Sequence, residues 1–554
     1  MHWIDGTPRV GIELSRYDYI IIGAGSAGCV LASRLSEDPN VNVLLLEAGA
    51  PTSTFVHMPA GIRFLYNSSK YNWRFWTEPQ AHLDNRRIYI PRGRVIGGSS
   101  SINSMIAVRG NAWDYDSWAA RGMPNWSFDS MLPYFRKIED ATLVEVSDDP
   151  GRGYSGPIRL SYGPERPTAK ALIESAVAAG LPENKGFNGG SQVGAGFYEL
   201  TIADGKRSGA FKYLEMAKGR SNLTIIANCL VRRILVEGSR ACGVVIVNKG
   251  RERTLSSDRE ILLTAGAIGS PQLLMLSGIG PADHLKPFGI RPVLDLPGVG
   301  ENLQDHLDCT IRFEAAQPTT LTPYLGLLKG GIAGAQYLLR GDGPAASQGI
   351  EAGVFWGQDR TSPLPDWQAH FILALRNPPA NERIAHGFAA RVCQLRPKSR
   401  GTVRLRSADP TDPPAIDPRF ASEITDFVSL RDGVAEMCDI VMRPPFAHHI
   451  KRPIDAEAFA GRASLEAWLR ARAETVYHPV GTCRMGSDDD AVVDPNMKLR
   501  GIDGLRVVDG SVMPTLISGN TNLPIMAMAE KIADHIIHDE GSSGLHMPGE
   551  GGVA

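Results

Sequence analysis

The sequence of 554 residues lacks the features that define several other classes of protein. Its seven cysteines are dispersed, without a CxxC pair or the spacing of metal ligands. An odd, scattered set of cysteines indicates reduced intracellular thiols rather than a disulfide framework. The formal net charge is only −2 at pH 7, so the chain has no basic excess of the kind that nucleic-acid-binding domains carry. The sequence therefore predicts no metal site and no nucleic-acid partner.

Targeting signals and long apolar spans are also missing. The N-terminus has no basic start followed by an apolar run, which argues against a signal peptide. Residues 261–282 carry no charge, but glycines and Pro271 interrupt them, which favours a buried strand, a turn and a short helix over a membrane span. We expect a cytoplasmic protein without a transmembrane segment, and a peripheral position at the inner face of a membrane stays open. The Gly/Ser-rich segment 541–554 is predicted to be disordered.

What the chain does contain is most informative between residues 18 and 50. An apolar run at 19–22 leads into Gly23, Gly25 and Gly28, then an amphipathic stretch, then a second apolar run that ends at Glu47. In such a βαβ unit, glycines let a pyrophosphate reach backbone N–H groups at a helix N-terminus. A terminal acid accepts hydrogen bonds from ribose hydroxyls and disfavours a 2′-phosphate. The segment predicts binding of FAD or NAD rather than NADP, and a glycine-rich structural turn is the alternative.

A second informative stretch is PRGRVIGGSSSINSMIAVRG, at residues 91–110. Its small residues let the backbone pass close to a flat ring, although a tight exposed loop would have the same composition. No second GxGxxG arrangement follows the first. The sequence therefore predicts one dinucleotide, and FAD suits this role.

Several motifs resemble, in order, those of the glucose-methanol-choline (GMC) family of flavin oxidoreductases. The matching stretches are PRGRVIGGSSSIN, GAIGSPQLLMLSGIGP, GVGENLQDH, HPVGTCRMG, and VVDGSVMP followed by SGNTN. They cover nearly the whole chain, and they place it near choline dehydrogenase-like and alcohol dehydrogenase-like members. The resemblance implies an α/β fold with a Rossmann-like FAD-binding domain and a second, substrate-binding domain built on an antiparallel sheet with helices. We predict a discontinuous FAD-binding domain at 16–158, 198–310 and 476–540, and a substrate-binding domain at 159–197 and 311–475.

The GxGxxG unit and the resemblance together assign residues to the cofactor. They are Gly23, Gly25, Ser26, Ala27, Gly28, Glu47, Ala48, Arg94, Gly98, Ser99, Asn103, Val231, Ala265, Asp509, Gly510 and Pro524. Members of the family that attach FAD covalently have a histidine just before the asparagine of a Ser-Ser-x-Asn segment. This chain has Ile102 at that position. Because isoleucine cannot form the bond, we predict non-covalent FAD.

By the same resemblance, His478 and Asn522 face the reactive edge of the flavin. His478 would take the hydroxyl proton of a primary alcohol, and Asn522 would donate an amide N–H to the same oxygen while hydride passes to flavin N5. Taken alone, each of these residues is more often structural. The aldehyde is the product, and a quinone, a carrier or oxygen receives the electrons. The alternative is a hydroxynitrile-lyase-type carbon–carbon lyase with non-redox FAD. Apolar spacing after Pro524 predicts a helix whose positive end points at the flavin.

The substrate side is less clearly marked in the sequence. The candidate pocket residues are Met105, Glu351, Phe355, Trp356, Phe371 and Tyr477. Each has an alternative interpretation as a core residue. Aromatic walls suit an uncharged primary alcohol, including an aryl alcohol. A buried carboxylate needs a partner. Because a cationic substrate such as choline could be the partner of Glu351, a cationic substrate stays open as an alternative.

Overall fold

The computed structural model describes residues 16–144, 149–375 and 382–543. A first sheet of seven strands has a parallel centre that runs Leu223–Ile226, Val43–Leu46, Arg16–Ile22 and Arg251–Leu263. Arg240–Asn248 and Cys229–Glu237 extend it in antiparallel fashion, and Leu505–Val507 pairs in parallel with Arg251–Leu263.

The centre of the first sheet follows from the apolar runs around the glycine turn. Residues 19–22 and 43–46 are buried, as expected for parallel strands covered on both faces. Helix Ser26–Leu35 connects these two strands, and Ile20 pairs with Leu44 across the ladder. The predicted βαβ unit and α/β fold class are confirmed.

A second sheet of seven strands is antiparallel. Its order is Ile450–Pro453, Leu307–Ala315, Gly387–Gln394, Trp367–Ile372, Ile350–Trp356 and Gly194–Phe197, with Glu474–Thr475 paired to Leu307–Ala315. Helices Pro167–Ala178 and Ile424–Val441 pack on one face and share a buried apolar cluster with alternate strand residues. The predicted boundary at 310 falls inside strand Leu307–Ala315, and the division into domains stays a prediction.

Shorter elements surround the two sheets. The small strands are Phe75–Trp76 with Tyr89–Ile90; Glu139–Leu143, Ile158–Tyr162 and Glu199–Leu200; Ile202–Ala203 with Lys206–Arg207; Ile279–Gly280 with Leu294–Asp295; and Thr402–Arg404 with Ala415–Asp417. The other α-helices are Thr54–His57, Ile62–Leu65, Ala112–Ala119, Phe128–Ile138, Phe211–Met216, Gly266–Leu276, Ala282–Leu285, Leu327–Arg340, Arg462–Arg472 and Asn522–Ser543. The 3-10 helices are Pro59–Gly61, Gly98–Ser101, Pro124–Trp126, Lys286–Phe288, Thr322–Leu325, Pro344–Ala346, Phe446–His449, Ala456–Phe459 and Gly510–Val512.

The last helix, Asn522–Ser543, begins two residues before Pro524 and packs against helices Ser26–Leu35 and Phe128–Ile138. The tail predicted to be disordered from 541 overlaps this helix for three residues, and 544–554 lie outside the described residues. The N-terminal stretch that was compared with a signal peptide, 1–15, also lies outside them. Within the described part of the chain, no helix combines the length and apolar character needed to cross a bilayer.

Candidate active site

A cavity of about 670 Å³ lies between the glycine-rich segments and the second sheet. Its lining combines Ser26, Ser99, Asn103 and Asn522 from the glycine-rich segments and the last helix with His370, Ile372 and Arg391 from the second sheet. The predicted proton acceptor, His478, also lines it. Residues far apart in sequence therefore share one enclosed space.

His478 is held by three contacts. Its backbone N–H donates to Asp305 Oδ1 at 2.8 Å. Its ring Nδ1 lies 3.0 Å from His306 Nδ1, and its Nε2 lies 3.3 Å from Asn520 Nδ2. The imidazole is therefore fixed at both ring nitrogens, and only Nε2 approaches an amide donor.

The His306 ring determines which nitrogen of His478 carries hydrogen. His306 Nε2 lies 2.9 Å from the carbonyl oxygen of Leu395. Because a carbonyl only accepts hydrogen bonds, that Nε2 is protonated, and a neutral His306 then has its lone pair on Nδ1. His478 Nδ1–H donates to this lone pair. His478 Nε2 is left without hydrogen, as a base requires.

The surroundings keep both imidazoles neutral at pH 7. Burial, and then the nearby His306, lower the pKa of His478 well below its usual value of 6.5. Burial lowers the pKa of His306 to about 4. Burial raises the pKa of Asp305 to about 6, and this carboxyl accepts the backbone N–H of both histidines and the hydroxyl of Thr475. Both imidazoles are therefore neutral at pH 7, the state in which a histidine can accept a proton.

The structure brings Asn520, rather than Asn522, to hydrogen-bond distance of His478. Asn522 accepts a hydrogen bond at Oδ1 from Ser26 Oγ, at 2.7 Å. The physical reason is local: Asn522 is the first residue of the last helix, whereas Asn520 lies in the loop before it. Both residues line the cavity. The motif SGNTN contains both asparagines, so the sequence pattern did not separate them.

The glycine turn has the close contacts that a dinucleotide cradle needs. A Cβ at Gly28 would lie 1.9 Å from the carbonyl oxygen of Gly23. Gly25, which precedes helix Ser26–Leu35, has no side chain to cap it, so N–H groups of the first turn are available to an anion. The turn therefore fits a pyrophosphate.

Glu47 sits at the end of its strand, as predicted. Its Oε2 accepts the N–H of Ala24 at 2.9 Å, and its Oε1 accepts that of Gly49 at 2.7 Å. Burial raises the pKa of Glu47 to about 7. Cys229 N–H donates to the Glu47 carbonyl, which brings the strand that contains Val231 beside this carboxyl group. Each carboxyl oxygen has a further lone pair for a ribose hydroxyl.

The loop after strand Tyr89–Ile90 packs directly on the glycine turn. Gly98 has φ +52°, and a Cβ there would lie 2.7 Å from Gly25 Cα. Asn103 Oδ1 accepts a hydrogen bond from Arg207 Nη1 at 2.6 Å. The guanidinium of Arg94 lies 4.7 Å from the ring centre of Trp73, and its buried Nε has no hydrogen-bond partner. An unsatisfied buried donor of this kind fits a bound ligand.

The remaining predicted cofactor residues fall in three places. Ala27 is buried in the first turn of helix Ser26–Leu35, and Ala48 is half-buried next to Glu47. Asp509 Oδ2 accepts the N–H of Gly266, the residue after Ala265, at 2.8 Å. Gly510 follows Asp509 and lies beside Ile525, the neighbour of Pro524. The starts of helices Gly266–Leu276 and Asn522–Ser543 are therefore close together, and the set as a whole fits FAD.

Of the predicted pocket residues, Met105 and Tyr477 line the cavity and the other four do not. Phe371 packs on Phe388 and Phe446 in the core under the helices. Its neighbours His370 and Ile372 line the cavity instead, because successive strand residues point to opposite faces.

Trp356 belongs to the same helix-side core, where it packs on Trp367. Phe355 is buried against Phe187 and Tyr198. Glu351 Oε1 accepts hydrogen bonds from Arg166 Nε and Ser347 Oγ, at 3.1 and 3.0 Å. The partner that this buried carboxylate needs thus comes from the chain itself.

A polar corner of the cavity was not predicted. Arg391 lines the cavity, pairs with Asp308 and lies 5.1 Å from the ring centre of Tyr477. The hydroxyl of Tyr477 lies 2.7 Å from that of Tyr66. His306 could have been found from its place in the matched motif GVGENLQDH, whereas nothing in the sequence marks Arg391.

Comparison with known proteins shows the family of the chain. Two family profiles, both described as GMC oxidoreductase, match residues 17–308 and 397–529. The oxygen-dependent choline dehydrogenase of Burkholderia cenocepacia (strain HI2424) is 43% identical over 530 residues, which are 94% of this chain and 93% of the relative.

Two solved structures share the fold over nearly the whole chain. Pyridoxine 4-oxidase from Mesorbium loti has a TM-score of 0.85 and 33% identity, and the match covers 94% of this chain and 99% of the other. A variant of formate oxidase from Aspergillus oryzae RIB40, described for its effect on FAD modification, has a TM-score of 0.89 and 28% identity, with 96% and 100% covered.

The chain belongs to the GMC oxidoreductase family. It is an FAD-dependent oxidoreductase that acts on the CH–OH group of an alcohol. The relatives described above are oxidoreductases, and they give no support to the lyase alternative.

Proposed function

We propose that this enzyme oxidises a primary alcohol to an aldehyde with His478 as the proton acceptor. The observation that carries the proposal is the Nε2 atom of His478, which lies in the cavity and 3.3 Å from Asn520 Nδ2. When bound, FAD supplies the two-electron acceptor that takes hydride from the alcohol carbon. His478 Nε2 accepts the hydroxyl proton, which makes the alcohol a better hydride donor because an alkoxide releases hydride more readily.

Asn520 is the proposed partner of His478. When the alcohol binds, its hydroxyl takes the place of the amide at the lone pair of His478 Nε2, and the Asn520 amide donates an N–H to the alcohol oxygen. After proton transfer, the ring carries hydrogen on both nitrogens. Burial disfavours this cation, and the alkoxide beside it supplies the compensating negative charge. Proton transfer is thereby coupled to the presence of substrate.

His306 and Asp305 are positioning residues in this proposal. His306 accepts the Nδ1–H of His478 and so keeps the lone pair on the cavity side. Asp305 holds the backbone of His478. Neither residue is among those that line the cavity.

The non-covalent attachment of FAD also belongs to the proposal. Ile102 lines the cavity at the position where covalent members of the family have histidine. Its aliphatic side chain has no atom that forms a bond to the cofactor. Acid precipitation is therefore expected to leave the yellow colour in the supernatant, and colour in the pellet would contradict it.

The cavity favours an uncharged alcohol over a quaternary ammonium alcohol. Its lining is largely apolar, and the charged residues that line it are the cationic Arg63, Arg92 and Arg391. Glu351, which could have balanced a cation, is already paired with Arg166. The tyrosine hydroxyls and the guanidinium of Arg391 offer donors to a polar group at the far end of the alcohol.

We further propose that a quinone, a carrier or oxygen receives the electrons, and that the protein works in the cytoplasm, where a peripheral position at the inner face of a membrane stays open. The named relatives include an oxygen-dependent dehydrogenase and two oxidases. These names support an electron acceptor from this set of three. Hydrogen peroxide yield in air separates an oxidase from a dehydrogenase.

Anaerobic flavin bleaching tests the proposed function. Holoenzyme is mixed with aliphatic alcohols, aryl alcohols or choline, and flavin absorbance is followed without oxygen. We expect uncharged alcohols to bleach the flavin faster than choline at equal concentration. Absence of bleaching with every alcohol would overturn the redox function. Fastest bleaching by choline would overturn the substrate class alone.

A further inference from the structure

Helix Leu327–Arg340 has its apolar side facing outward. Ala333 and Tyr337 form its inner side and pack on Met58 and Ala345. The large apolar residues of its outer side have exposed fractions of 94% for Leu327, 77% for Leu328, 62% for Ile332, 66% for Leu338 and 85% for Leu339. A surface helix of a globular protein normally buries its apolar stripe. Here the exposed stripe is the apolar one.

Two aromatic residues extend this surface. Phe55 and Phe64 are 44% and 52% exposed, with ring centres 5.1 Å apart. Their segment is tied to the start of the helix because Arg63 donates to the carbonyl oxygen of Tyr324 at 2.8 Å. We call the outer residues of the helix together with Phe55 and Phe64 the apolar rim.

Part of the apolar rim also lines the open side of the cavity. Four residues of the rim also line the cavity, namely Leu327, Leu338, Phe55 and Phe64. The cavity continues from there to His478. An apolar surface at this place covers the route by which an apolar molecule enters.

The segments that carry the apolar rim are predominantly basic. Segments 48–77 and 315–341, which carry the rim, contain Arg63, Lys70, Arg74, Lys329 and Arg340 and no aspartate or glutamate. The whole chain has a net charge of −2, so this basic excess is local. Basic residues beside exposed leucine and phenylalanine are typical of helices that lie in the interface of an anionic membrane.

We propose that the apolar rim docks reversibly on the surface of an anionic lipid bilayer, with helix Leu327–Arg340 in the interface plane. The leucines and phenylalanines enter the acyl boundary, and the basic residues meet lipid phosphates. The mouth of the cavity then opens toward the lipid. A bilayer fits better than a second copy of the chain, because two copies would bring the same predominantly basic segments together.

Vesicle co-sedimentation of the holoenzyme tests this docking independently of turnover. The vesicles contain either phosphatidylcholine alone or an equimolar mixture with phosphatidylglycerol. We expect the parent enzyme to sediment with the anionic vesicles more strongly than with the neutral ones. Leu328→Glu and Leu339→Glu should each weaken binding roughly tenfold or more. Lys329→Gln should weaken binding about fivefold on anionic vesicles and have little effect on neutral ones.

Ile424→Glu is the matched control, because Ile424 is 63% exposed on another helix. This variant should bind vesicles as the parent enzyme does. Flavin content shows that each variant is folded. A parent enzyme that stays in the supernatant with both vesicles would overturn the proposal. So would a Leu328→Glu variant that changes oligomeric state in size-exclusion chromatography and binds vesicles like the parent, because a second copy would then be the occupant.

Discussion

The glycine turn and the surroundings of His478 are built in different ways. Residues 18–50 supply the turn, the helix and Glu47 as one continuous segment. Around His478, the chain brings together Asp305, His306, Leu395 and Asn520 from three other segments. The first region depends on backbone shape, and the second depends on the packing of the whole chain.

This difference shows what a substitution is expected to disturb in each region. In the turn, a single added carbon atom would clash with backbone atoms, and these cannot move without distorting the turn. Near His478 and along the second sheet, the effect depends on the face to which a side chain points. Neighbours in sequence can therefore have unrelated roles there.

The largest effect is expected for Gly28→Ala. The new Cβ would lie 1.9 Å from the carbonyl oxygen of Gly23, so the turn cannot keep its shape. We expect purified protein with little or no flavin, measured as the ratio of visible to ultraviolet absorbance. Gly190→Ala is the control, because a Cβ there meets nothing within 4 Å. Full flavin content in Gly28→Ala would show that the turn is not a rigid cradle.

In the second sheet, the neighbours Phe371 and Ile372 are expected to behave differently. Phe371 is buried among aromatic rings, and Phe371→Ala should lower the free energy of unfolding by about 3–5 kcal/mol. Ile372→Ala should mainly raise KM for the alcohol, because Ile372 lines the cavity. Denaturant unfolding measures the change in stability, and steady-state kinetics measures the change in KM. If Phe371→Ala altered KM while stability stayed the same, the assignment of strand faces would be wrong.

The two asparagines of SGNTN give a matched pair near His478. Asn520→Ala should slow anaerobic flavin bleaching on the order of a hundredfold to a thousandfold, because an N–H donor to the developing alkoxide is lost. Asn522→Ala should slow it less, because Asn520 and not Asn522 lies at hydrogen-bond distance of His478 Nε2. Rapid mixing at saturating alcohol measures both rates. The reverse order would favour Asn522, as the sequence predicts, over Asn520 as the N–H donor to the alcohol oxygen.

The smallest effect is expected in the dependence of kcat/KM on pH. His478 must be neutral to accept a proton, and its pKa is lowered well below 6.5. Activity should therefore be full above pH 6.5 and fall only when the pH drops through the lowered pKa. An acid limb centred above pH 7 would show that the histidine is not held neutral.

The same contrast explains what the sequence could predict. The βαβ unit and Glu47 follow from one local pattern of apolar runs and glycines, and the order of motifs identified the family. Apolar strand residues such as Phe371 and Trp356 carry no mark of the face they occupy, because alternation leaves the cavity side undetermined until the sheet is packed. Asn520 and Asn522 are equally polar and only two positions apart, and the start of a helix separates their roles.

Arg391 and the apolar rim show a further limit of the sequence. The role of Arg391 depends on Asp308 and Tyr477, which only the folded sheet places beside it. Helix Leu327–Arg340 has an ordinary amphipathic pattern, and the sequence does not state that its apolar side faces outward. Both features became visible from burial and contacts.

The rate of anaerobic flavin bleaching in His478→Ala tests the central claim most directly. We expect this variant to bind FAD like the parent and to bleach more slowly with alcohol by roughly two to four orders of magnitude. Bleaching at the parent rate, with the flavin fully bound, would contradict it.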